Sequence, residues 1–142
     1  MKTRIPASLR AGIAGAVTAL LTAAPLAAAG AGEPGKVTDL LTQVLSDVPG
    51  KEVTMITVDY APGAVDPVHR HDASAFIYVI EGTIEMQMEG GEKVTLTPGQ
   101  TFYEDPKLVH LVGRNASDTK PAKFVVFMIK NVGQPLLTPV TP

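Results

Sequence analysis

The feature that most constrains this chain is a succession of short β-rich runs, each stopped by glycine or proline. Val53–Tyr60 (VTMITVDY) ends at Pro62-Gly63, and Ala75–Ile80 (AFIYVI) ends at Glu81-Gly82. Thr83–Glu89 alternates apolar with polar residues and stops at Gly90-Gly91, a hairpin signal. Lys93–Leu96, Thr101–Glu104 and Val109–Val112 follow at similar spacing, and Lys123–Lys130 (KFVVFMIK) is the last long run. Runs of this length and composition between turn residues read as strands. A long series of them without an intervening helical period predicts an all-β sandwich or barrel. The 13 glycines and 12 prolines among 142 residues supply the turns, and the length suits one domain.

The first thirty residues follow a different pattern. Lys2, Arg4 and Arg10 make a basic head, Ala11–Ala24 is apolar and uncharged, and Pro25 leads into the small residues Ala27–Ala31. A basic head, an apolar middle and a small-residue cleavage site are the layout of a secretory signal peptide. Residues 1–29 are therefore expected to be removed, with cleavage after Ala29 or Ala31, and the mature chain to be periplasmic or secreted. Its removal takes away three positive charges and no negative one, moving the formal charge from -2 to -5. No second hydrophobic segment follows, so no membrane association is expected after cleavage. The acidic balance also argues against nucleic acid as a partner.

Residues 30–52 read as an N-terminal arm, 53–130 as the barrel and 131–142, with three prolines in its last eight residues, as an extended tail. Within the arm, Val37, Leu40, Leu41, Val44 and Leu45 recur at helical spacing. A short helix or an irregular segment laid on the barrel is expected there.

Several chemistries are excluded. Without cysteine there is no disulfide framework, thiolate metal site, cysteine nucleophile or lipidated cysteine anchor. No nucleophile elbow, glycine-rich phosphate loop or HExxH motif occurs. Any chemistry must come from a bound metal, and the three histidines are its candidate ligands. His69 and His71 lie two residues apart, which places them on one face of an extended chain. His110 lies about forty residues on, in another strand candidate. Neutral imidazole is the commonest protein metal ligand.

These residues carry a resemblance. Gly63, five residues, His69-Arg70-His71 and Gly82 resemble the first cupin motif. Pro98-Gly99-Gln100 through His110 and Asn115 resemble the second. The likeness covers roughly Val53–Ile129 and is greatest to the small, secreted, single-domain cupins. It implies an antiparallel jelly-roll β-barrel of six to eight strands, often dimeric, with one metal held inside by His69, His71 and His110. The family's usual glutamate, seven positions before the closing glycine, is replaced by Ala75. The Pro-x-Gly before the second-motif histidine reads Asp105-Pro106-Lys107, and Asn115 follows His110 by five positions rather than four.

Three imidazoles with an open position are a known catalytic arrangement for zinc. Imidazole suits Fe, Zn, Ni and Cu, while carboxylate-rich sites suit Mn. The absent glutamate therefore favours one divalent transition metal from the first group, with Gln87, Glu104 or a water in the fourth place. Asp72, beside His71, is either an orienting group or a turn residue. Tyr103 and Glu104 are the nearest general-base candidates. Met55, Met86 and Met88 read as core. A small-molecule enzyme of oxygenase or isomerase type is expected, the alternatives being a non-catalytic ligand- or metal-binding module and a purely structural barrel.

Parity extends this reading. If positions 69, 71 and 75 face inward, so do Ile77 and Val79, leaving Phe76, Tyr78 and Ile80 outside. Such a face needs a cover. A homodimer through it is expected, unless Val37–Leu45 of the same chain lies across it.

Overall fold

The computed structural model describes residues 32–140, so the expected signal segment lies outside the described residues. Ten strands form, and no helix occurs among the described residues: β1 (Lys36–Val44), β2 (Lys51–Tyr60), β3 (His69–Arg70), β4 (Ala73–Glu81), β5 (Ile84–Met88), β6 (Val94–Leu96), β7 (Thr101–Glu104), β8 (His110–Asn115), β9 (Ala122–Asn131) and β10 (Thr138–Pro139). They make two five-stranded sheets, ordered β1-β2-β9-β4-β7 and β10-β3-β8-β5-β6. All the pairings between strands are antiparallel. This is the all-β, jelly-roll-type barrel that the strand pattern predicts, with ten strands in place of six to eight.

The sheets face each other because their inward positions are apolar. Burial alternates along β4, β5 and β9, with Ala75, Ile77 and Val79 inside as parity requires. Ile56, Ile77, Ile84, Met86, Phe124 and Met128 form the centre of the core. The hand-over from β4 to β5 depends on Gly82, whose φ is 73°. A Cβ there would stand 2.3 Å from the Pro121 carbonyl oxygen and 2.6 Å from Ala122 Cα. Both the left-handed backbone and the close approach require glycine. Asn115 closes the other end of the site-bearing sheet: its buried amide donates to the carbonyls of Ala61 and Lys120, and its oxygen accepts from Ser117 N–H.

The N-terminal segment differs from its expected form. Val37–Leu45 is neither a helix nor an irregular arm: residues 36–44 are the edge strand β1, paired with β2 along its length. A bulge between Asp39 and Leu41 inserts one extra residue. That insertion breaks the two-residue alternation and leaves the leucines spaced as on a helix.

Phe76, Tyr78 and Ile80 do face outward, at 45%, 51% and 45% exposure. Tyr103 of β7 lies opposite Phe76, and their ring centroids are 5.2 Å apart. β1 occupies the far edge of the same sheet, beyond β2 and β9, so it does not cover this face. Met86 and Met88 are buried core residues, whereas Met55 is only half-buried and shares a cross-strand row with Phe127 and Phe76. That row belongs to the outer face, which corrects the core expectation for Met55.

Candidate metal centre

Sequence parity brings the first two imidazoles together, and sheet register brings the third. His69 on β3 lies directly opposite His110 on β8. His71 follows β3 by one residue and returns to the same side. The Nε2 atoms of His69 and His71 are 3.1 Å apart, and His110 Nδ1 is 3.4 Å from His69 Nε2.

A carboxylate completes the group. Glu104, at the end of β7, places Oε2 2.9 Å from His71 Nε2 and Oε1 3.4 Å from His110 Nδ1. One ligand atom from each of His69, His71, Glu104 and His110 lies within 4.8 Å of all the others. The fourth donor is therefore present. Glu104 is the direct cross-strand partner of Ala75, so the carboxylate missing from β4 is supplied by the neighbouring strand at the same level of the barrel. Its presence removes the reason for disfavouring Mn. Gln87 is elsewhere, donating to the Gly91 carbonyl. Tyr103 lies on the outer face and is no general base for this site.

The hydrogen bonds at the back of the rings fix which nitrogens face the cluster. His69 Nδ1 donates to the Pro67 carbonyl at 2.8 Å, and His71 Nδ1 to the Leu136 carbonyl at 2.5 Å. A carbonyl oxygen only accepts, so both Nδ1 atoms carry the proton. In the neutral rings the two Nε2 lone pairs then point at one another and at a carboxylate. Glu104 Oε2 makes no well-directed hydrogen bond although it is buried. Three electron-rich atoms at 3 Å repel unless a cation lies among them. Either a proton or a metal ion meets that need, and orienting imidazole by a carbonyl at the opposite nitrogen is the usual support for a metal-binding histidine.

The surroundings of these groups act in the same sense. Burial pushes the His69 imidazolium toward deprotonation, helped by the neighbouring histidines. Burial acts on His71 in the same direction, but adjacent Glu104 outweighs it and raises His71 above the ordinary histidine range. Burial would raise Glu104, but the imidazoles around it, His71 first, hold it below the usual carboxylate range. The cluster is built to hold one positive charge beside one carboxylate.

The C-terminal segment is part of the site. It is a strap paired through β10 to β3, not a free tail. Gln134 Nε2 and Thr138 Oγ1 both donate to Asp72 Oδ2, and buried Lys130 donates to the Gln134 carbonyl at 2.7 Å and to Glu52. Asp72 thus holds the strap rather than an imidazole, and the strap holds Leu136 O on His71. On the opposite side Tyr60, 1% exposed, donates to Asp66, whose other oxygen accepts from Gly35 N–H at 2.9 Å. Burial, with Asp66 beside it, raises the Tyr60 phenol far above the usual tyrosine range. Tyr60, Asp66 and Leu136 were not among the sequence candidates.

Residues 56–128 match the Cupin domain family. The chain is a cupin. A germin-like protein of Ipomoea nil is 37% identical over 98 residues, covering 60% of this chain and 46% of the relative. A cupin-domain-containing oxidoreductase of Neurospora crassa is 32% identical over 72 residues, covering 51% and 36%. This cupin spans less than half the length of either curated relative. Among solved structures, a cupin domain from Bordetella pertussis aligns over 70% of this chain and 96% of its own, with TM-score 0.54 and 23% identity. That last likeness supports the fold alone.

Proposed function

We propose that this cupin holds one divalent transition metal on His69, His71, Glu104 and His110 and is an enzyme of oxygenase or isomerase type acting on a small molecule. The observation that carries the reading is the convergence of three imidazole nitrogens and the Glu104 carboxylate on one buried point. An ion that takes more than four ligands would leave room for a substrate beside these four protein donors. The metal would supply Lewis-acid or redox chemistry there. The protein's part is to orient the ligands through Pro67 O and Leu136 O, exclude water with an apolar wall, and balance charge with Glu104. The oxidoreductase name of the Neurospora relative favours the redox branch.

The test is a small exogenous ligand. Azide added to the cobalt-loaded protein should change the visible spectrum at one site per chain. A spectrum unmoved by azide would favour a closed, non-catalytic metal-binding module.

Export and assembly belong to the same proposal. The basic head, apolar middle and small-residue site of residues 1–31 support a periplasmic or secreted mature chain. The outward Phe76, Tyr78, Ile80 and Tyr103 support a homodimer through that face of the sheet. Light scattering coupled to size exclusion should give twice the chain mass, and Tyr78→Glu should give the monomer.

A further inference from the structure

The cavity in front of the four-residue cluster has a chemistry of its own. It has a volume of about 180 Å³ and is walled by Ile56, Val58, Phe124 and Val126, with Val37 and Leu137 at its solvent-facing rim. Among the described residues no lysine or arginine lines it. Its charged groups beyond the imidazoles are Glu104 and Asp66, and both oxygens of Asp66 are occupied by Tyr60 and Gly35. Glu104 would meet one charge of a divalent ion, while the Asp66 carboxylate is engaged by its own donors, so one further negative charge would be balanced. A dianionic ligand would then carry uncompensated charge into an apolar chamber, which is costly.

We infer that the ligand class of this site is a molecule of about one ring in size, with an uncharged or singly anionic oxygen-donor head and an apolar, uncharged body. The inference rests on the metal-binding reading above. The size follows from the volume: an apolar cavity of about 150 Å³ accepts benzene. The head meets the cluster, and the body fills the space between the β2–β9 wall and the strap. Small dicarboxylates and phosphorylated compounds are disfavoured because no lysine or arginine on the described wall would meet their second anionic end.

Three hydroxamates with the same chelating head separate the possibilities. Acetohydroxamate, benzohydroxamate and 4-carboxybenzohydroxamate are titrated into the cobalt-loaded protein and followed by the visible spectrum. Benzohydroxamate should bind at least about tenfold tighter than acetohydroxamate, from the extra apolar area removed from water. The carboxylated analogue should lose most of that gain. Val37→Lys, at a rim position 46% exposed, should strengthen the carboxylated analogue several-fold and leave acetohydroxamate unchanged.

Equal affinities for the first two, or tighter binding of the carboxylated compound by the parent protein, would overturn the ligand class while leaving the metal site standing. Failure of the parent to take up cobalt would overturn both.

Discussion

Moving one carboxylate between two paired strands puts a number on the role of Glu104. Ala75 and Glu104 are opposite each other on β4 and β7, and both are buried, at 0% and 2% exposure. Residues directly opposite in an antiparallel pair have Cβ atoms about 4.5–5.5 Å apart. A glutamate at position 75 therefore starts within reach of the same point, and the exchange conserves interior volume. Glu104→Ala alone removes the one anionic donor from a buried cluster. Truncating one member of a buried charge pair costs about 3–5 kcal/mol. At about 1.4 kcal/mol per decade, metal affinity should fall by roughly two to three and a half orders of magnitude. The double variant Ala75→Glu/Glu104→Ala should return to within about tenfold of the parent. Calorimetric or spectroscopic cobalt titration reads both values, and thermal melting of the metal-free proteins controls for folding. If Glu104→Ala lowered the melting temperature but left the dissociation constant within about threefold, Glu104 would be a structural acid and the reasoning would be wrong. A double variant no better than the single one would refute the equivalence of the two positions.

Three further outcomes follow. Asp72→Ala should weaken cobalt binding about tenfold, the lower end for loss of a group that orients a ligand, while Asp72→Asn keeps an acceptor for Gln134 and Thr138 and should recover most of it; unchanged affinity in the alanine variant would remove the strap from the account. The Lys130–Glu52 pair should make stability acid-sensitive, because Lys130 holds the Glu52 carboxyl below its ordinary value; its contribution is present above the unfolded glutamate pKa of about 4.3 and lost as pH falls through the lower folded value. Melting temperature should therefore drop more steeply from pH 5 to 3 in the parent than in Glu52→Gln, and parallel curves would count against the pair. Gly82→Ala forces a side chain into a left-handed conformation costing about 1–2 kcal/mol, before its clash with Pro121 O. A fall in melting temperature of at least about 5 °C is expected on that scale, and an unchanged temperature would show that the turn can rearrange.

Strands β2 and β4 to β9 were legible because each is a short apolar run closed by a turn residue, and the histidines because parity and barrel closure act on a spacing that sequence displays. Glu104 was harder. Its value depends on which residue of β7 lies opposite Ala75, and register between distant strands is a tertiary fact. One local hint existed: Phe102 and Glu104 share the inner face of a strand whose other residues are exposed, and an acid at such a position needs a partner. β1 was hidden by its bulge, which mimics helical spacing in Val37, Leu40, Leu41 and Val44. The strap was hidden because its prolines announce only an extended chain. What docks it are side chains outside it: Asp72, far away in sequence, and Lys130 at the end of β9.

The most direct test of the central claim is the metal content of the reconstituted protein after dialysis, by elemental mass spectrometry, for the parent and for His69→Ala/His71→Ala/His110→Ala. One equivalent of a divalent transition metal per chain in the parent and less than about a tenth in the triple variant is the expected result. Equal metal in both proteins, or none in the parent, would contradict a metal centre built from these residues.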